Sequence, residues 1–159
     1  MSKPGIITEQ LCAKAWEMVL PSVLASARLG VTNKVAGNIV VLDPLSDTGS
    51  ILFLADVDDA HPHAEKYIEI AGDKAYVSFR TGLPSRHVQQ ESPHLYLEGD
   101  TKWGGSVVRN GLIVAFSGVQ AVFDEMIAGW MADAIIALCR NEMTKEGGIM
   151  ASESSFISR

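Results

Sequence analysis

A chain of 159 residues is most simply one domain, and an apolar share of 47% with 20% charged residues fills one core and excludes a disordered chain. A net charge of −6 without any run of Lys or Arg excludes the basic face that neutralises phosphates, so nucleic acid is not an expected partner. No apolar run approaches the roughly 20 residues that span a bilayer, so no membrane partner is expected either.

The first ten residues lack a basic segment followed by an apolar one. The expectation is therefore a soluble, cytoplasmic protein. The two cysteines, Cys12 and Cys139, fall in helical patterns at opposite ends of the chain, without a Cys-x-x-Cys pair. They read as small apolar packers and not as a disulfide framework.

Thr8 followed by Glu9 is a cap and first turn, and Leu11, Ala15, Met18 and Cys12, Val19, Val23 recur at helical spacing. Pro21 removes a backbone donor and is expected to kink or restart this helix, which Gly30 closes. Residues 35–43 and 51–57 are β-rich runs joined by a Pro-, Gly- and Ser-bearing loop, a hairpin. Their nearly continuous apolar character predicts a sheet covered on one face and partly on the other. Pro62 suits a first helical position with an Asp capping it, and Ala64, Tyr67, Ile68, Ala71, Ala75 and Ser78 then form a face rich in small residues. That face packs on the sheet or on another subunit. Gly82-Leu83-Pro84 ends the helix.

Residues 85–101 are polar and irregular and read as a binding loop or lid. Asn110-Gly111 then sits between the β-rich runs 106–109 and 112–117. Both central residues of a type I′ turn need positive φ, so this dipeptide is a strong hairpin signal. A final helix runs to about Glu142, and the stretch from 144 to 159 reads as a flexible tail after a single domain of residues 1–143. The order helix–hairpin–helix–hairpin–helix gives an α+β, profilin-like fold, a single antiparallel sheet of four to five strands with helices packed on it.

Asp58, Asp59, His61 and His63 are the densest group of ligand-type side chains, and His61 and His63 are the metal candidates, haem iron included. Equally, Pro62 and the two Asp residues explain a capped helix start. Arg86 offers a bidentate fork for a carboxylate, with His87 and His94 in the same loop. Asp124 and Glu125 form a candidate acid/base pair, or simply complement the helix dipole. Gly104 and Gly105 before one strand, Gly118 after the next, and the neighbouring Trp103 and Ser117 can line a small concave site. The same glycines equally well let a helix pack close to a sheet.

Taken together, Gly104-Gly105, Arg109-Asn110-Gly111, Val114-Ala115-Phe116-Ser117-Gly118 and Asp124-Glu125-Met126-Ile127-Ala128 resemble the C-terminal half of the GlcG/HbpS-like family, which includes the PduO C-terminal-like proteins and is often labelled haem-degrading. Val40-Val41-Leu42-Asp43, Leu54-Ala55-Asp56 and Ala71-Gly72-Asp73-Lys74-Ala75 match its earlier pattern, so the likeness covers about residues 8–140. Ala115 stands where a glycine is usual. The resemblance implies the same fold, a homo-oligomer from dimer to octamer, and haem or a related tetrapyrrole as small-molecule ligand. An enzyme acting on a small organic acid in a catabolic pathway, by a hydrolytic or isomerising step, is the alternative. There Arg86 and a histidine hold the carboxylate and Asp124 or Glu125 moves a proton. A third reading is an accessory subunit that works through assembly.

Overall fold

The computed structural model describes residues 5–145. Helix α1 (Glu9–Arg28) begins at Thr8, whose hydroxyl accepts the Leu11 N–H at 3.1 Å, the expected cap. Pro21 lies inside α1 without ending it. Its position is exposed, where water can serve the carbonyl that loses its donor. The expected restart does not occur.

Strands β1 (Asn38–Leu42) and β2 (Ile51–Asp56) form the first hairpin, and β3 (Ser106–Arg109) and β4 (Leu112–Ser117) the second. The sheet order is β2-β1-β4-β3, with every neighbouring pair antiparallel. Arg109 pairs with Leu112, so Asn110 and Gly111 are the whole turn, and both have positive φ (50° and 87°). This is the two-residue turn expected from Asn-Gly.

Helix α2 (Ala64–Thr81) covers one face of the sheet, and α1 with α4 (Ala121–Thr144) covers the other. Alternation along the central strands sorts the core accordingly. Ile39, Val41, Val114 and Phe116 face α1 and α4, whereas Val40, Leu42, Ile113 and Ala115 meet Ala71 and Ala75 of α2. The small residues of α2 are thus spent on the protein's own sheet, and the idea of an assembly face there loses its motive. Both faces of β1 and β4 are closed, a fuller cover than the sequence led us to expect.

Helix α2 starts two residues later than Pro62 predicts, because the Asp58 carboxylate accepts the Ala60 N–H at 3.0 Å and caps a turn ahead of it. The segment 85–101 is not an open loop. It holds a short helix, α3 (Ser85–Glu91), and a 3-10 turn (Pro93–Leu95). Helix α4 runs two residues past the expected Glu142, and the expected tail lies almost wholly outside the described residues.

Candidate functional site

Two clefts flank the first turns of α4, separated by the segment that leads into β3. The larger, of about 710 Å³, lies between α3, β3 and α4. Its apolar lining includes Val107, Val122, Met126 and Trp130, and Gly104 lies at its wall. Its charge comes from two ion pairs. Arg86 Nε donates to Glu125 Oε2 at 2.8 Å, and Arg109 Nε lies 3.5 Å from Asp133 Oδ1. The Glu125 hydrogen bond, ahead of its charge, raises the Arg86 guanidinium further above an already high range. Both arginines are partly open to solvent, so each pair holds its cation in place without strongly stabilising the fold.

Position of α3, and so of Arg86, is set by buried serines. Ser106 N donates to Ser85 Oγ at 3.0 Å, and the Ser78 and Ser106 hydroxyls share a 2.6 Å bond. Helices α2 and α3 are thereby tied to the first residue of β3. The far end of the segment is held by Arg80, which donates to both Asp100 carboxylate oxygens and to the Leu95 carbonyl. Those bonds, Arg80's first, hold Asp100 below its ordinary 3.8.

The smaller cleft, of about 220 Å³, opens between α2 and the start of α4, with Trp103, Ser117 and Gly118 on its wall. At its base the Lys74 ammonium donates to Asp124 Oδ2 at 2.9 Å and to the Phe116 carbonyl at 3.0 Å. Asp124 Oδ1 accepts the Val119 N–H at 3.0 Å. Both charged groups are buried, at 1% and 3% exposure. Desolvation pulls the Lys74 ammonium below its ordinary range and pushes the Asp124 carboxyl above its own, while their mutual attraction opposes both shifts.

The structure divides the residues singled out in the sequence. Arg86, Glu125 and Gly104 line the large cleft, whereas Trp103, Ser117, Gly118 and Asp124 line the small one. Asp124 and Glu125 are therefore not a working pair, since successive helical residues point about 100° apart. Gly105 and Gly118 serve packing. A Cβ on Gly105 would stand 2.7 Å from Lys74 Nζ, and one on Gly118 would stand 2.3 Å from Gly37 Cα. His87 Nδ1 lies 3.4 Å from the exposed Glu91, and His94 is exposed; neither lines a cleft described here.

His61 and His63 lie tilted against each other near Tyr67, with ring centroids 5.7 Å apart. His61 Nδ1 accepts the His63 backbone N–H at 3.1 Å. In neutral imidazole that leaves the proton on Nε2, the wrong tautomer for binding a metal through Nε2. Among the described residues no three His, Cys, Asp or Glu converge as a metal site.

Sequence reading left Lys74 without a role, although a lysine inside the small-residue face of α2 was a visible signal. Arg109, Met126, Trp130 and Asp133 were missed because only the packing of α3 and β3 on α4 gathers them.

These layers define an α+β class, a four-stranded antiparallel sheet between one helix and a pair of helices. No family model and no curated protein matches the sequence. Solved structures do share its fold. The Klebsiella pneumoniae protein ORFY, described as DUF336, superposes with a TM-score of 0.59 at 18% identity, over 86% of this chain and 97% of that one. A double mutant of Streptomyces reticuli HbpS gives 0.59 at 20% identity, over 84% and 89%. PduOC, in its haem complex, gives 0.52 at 18%, over 76% and 91%. The likeness read from motif order is thus met at the level of fold.

Proposed function

We propose that this chain binds a flat, carboxylate-bearing small molecule in the α3–β3–α4 cleft, with haem or a related tetrapyrrole as the candidate ligand. The observation that carries this reading is a cleft of about 710 Å³ with an apolar lining and two arginines. That size falls within the roughly 300–1,000 Å³ of ordinary ligand pockets. Guanidinium groups suit carboxylates because their planar N–H pairs match both oxygens. The PduOC complex supports the choice of haem, since that protein has the same fold.

The side chains fit the group unequally. Arg86 and Arg109 use Nε for Glu125 and Asp133, which leaves their Nη groups, without partners among the described residues, for its two propionates, and Val107 and Trp130 suit its ring face. Met126 offers a thioether, whereas His61, His63, His87 and His94 do not line this cleft. Bound there, haem would supply a redox-active iron, and Met126 is the lining side chain that would offer it a ligand atom. Cytoplasmic location and a homo-oligomer, from dimer to octamer, belong to the same reading.

Hemin titration followed at the Soret band is the test. A saturable change is expected, weakened about tenfold or more in Arg86→Ala/Arg109→Ala, since hydrogen bonds to charged groups contribute about 1.5–3 kcal/mol. The single His→Ala variants at 61, 63, 87 and 94 are expected to titrate like the parent. Absence of a saturable Soret change ends the proposal.

The same Arg86–Glu125 pair also favours a second reading, turnover of a small organic acid held by Arg86 with Glu125 moving a proton. Its mark is a turnover found by metabolite screening that Arg86→Ala abolishes. Turnover untouched by that substitution removes this reading.

A further inference from the structure

The smaller cleft has properties that the larger one does not explain. Ser117 is 5% exposed and lies on the cleft wall, yet its hydroxyl has no hydrogen-bond partner among the described residues. Lining the cleft, that hydroxyl is open to a polar group bound there, as donor or as acceptor. Lys34, on the same wall, lies 5.3 Å over the Tyr67 ring and makes no ion pair among the described residues. Lys74 and Asp124 neutralise each other, so Lys34 gives the cleft a net positive charge.

Helix α4 begins here at Gln120, which makes no side-chain cap, and the amide of Ala121, on the cleft wall, lies in its first turn, where no intrahelical acceptor exists. Trp103, 64% exposed, presents an indole at the rim. At about 220 Å³ the cleft is less than a third of the larger one, too small for a tetrapyrrole.

We infer that this cleft is a second, separate binding site, which takes a small carboxylate with a flat apolar body. The carboxylate accepts from the Ser117 hydroxyl and the Ala121 amide beside the Lys34 ammonium, and the flat body packs against Trp103. The aromatic rim favours such an acid over inorganic phosphate, whose four oxygens would face one free cation and an indole.

Isothermal titration calorimetry of the full chain with benzoate tests this, with inorganic phosphate as the competing anion. One saturable benzoate site is expected. Ser117→Ala weakens it about tenfold to a hundredfold, the range set by a hydrogen bond to a charged group. Lys34→Met, a change at an exposed position that leaves the core untouched, also weakens it. Arg86→Ala leaves benzoate binding unchanged, because Arg86 lines only the other cleft, so this result is independent of the hemin titration. Absence of saturable benzoate heat overturns the inference. So does phosphate binding as tight as benzoate, or binding lost in Arg86→Ala and kept in Ser117→Ala.

Discussion

Lys74 is a cation placed where α2 would otherwise present only small and apolar side chains to β4. Two acceptors satisfy it, the Phe116 carbonyl and the Asp124 carboxylate, and Val119 N–H satisfies the other carboxylate oxygen. Removing one member strands the other charge in a dry environment. Lys74→Met is therefore expected to cost about 3–5 kcal/mol, and Lys74→Met/Asp124→Leu to recover most of it, because a buried pair adds little over apolar residues of similar size. Urea midpoints of the parent, single and double variants measure both numbers. A double variant as unstable as the single would mean that the pair contributes through its geometry at the α4 start. A second residue-scale expectation concerns the cysteines. Burial, then Cys139 and Glu9, pushes the Cys12 thiol up to about 12, and only the thiolate is nucleophilic. A thiol-reactive disulfide reagent should leave Cys12 unmodified in the native protein and label it once urea unfolds the chain.

Between residues 85 and 101 the chain shows how an element escapes sequence reading. Helix α3 has seven residues, of which only Ser85 and Val88 are buried, too few for a helical period. Its support comes from Ser106, which is 21 residues from Ser85 along the chain, and from the Arg80–Asp100 clamp. No local pattern records such partners. The clamp has a pH signature. The folded Asp100 value lies below 3.8, so the unfolded chain binds more protons between those two values. The stabilisation is present above 3.8 and is lost as pH falls through the lower folded value. Asp100→Asn should therefore differ from the parent most at neutral pH and converge with it in acid, as read from paired urea melts. Hydrogen exchange should show the loss as faster amide exchange in residues 93–100, with α2 unaffected. Because α3 carries Arg86, Arg80→Ala should also weaken hemin in the titration above.

At the scale of the molecule, the two hairpins and three of the four α-helices among the described residues were legible because each states its own periodicity. Asn110-Gly111 fixed one turn outright, and the boundaries of β3 and β4 followed from it. The clefts were legible only in pieces. Arg86 and Glu125 were singled out, but their partition from Asp124 depends on the helix turn and on which neighbour each one meets. A layered fold also distributes its stability unevenly, and this can be measured. Helix α2 packs on β1, β4 and β3, leaving Leu54 on the edge strand β2 half open to solvent, whereas Phe116 on β4 is wholly buried toward α1 and α4. Phe116→Ala opens a cavity at the centre of that layer and is expected to cost about 3–5 kcal/mol. Leu54→Ala removes side-chain atoms that water already reaches, so about 1 kcal/mol or less is expected, from the smaller apolar area returned to solvent. Urea unfolding of the two variants compares them directly. Equal losses would mean that the open face of β2 is covered in solution, which a second copy of the chain would supply, and sedimentation of Leu54→Ala against the parent would then show the lighter species.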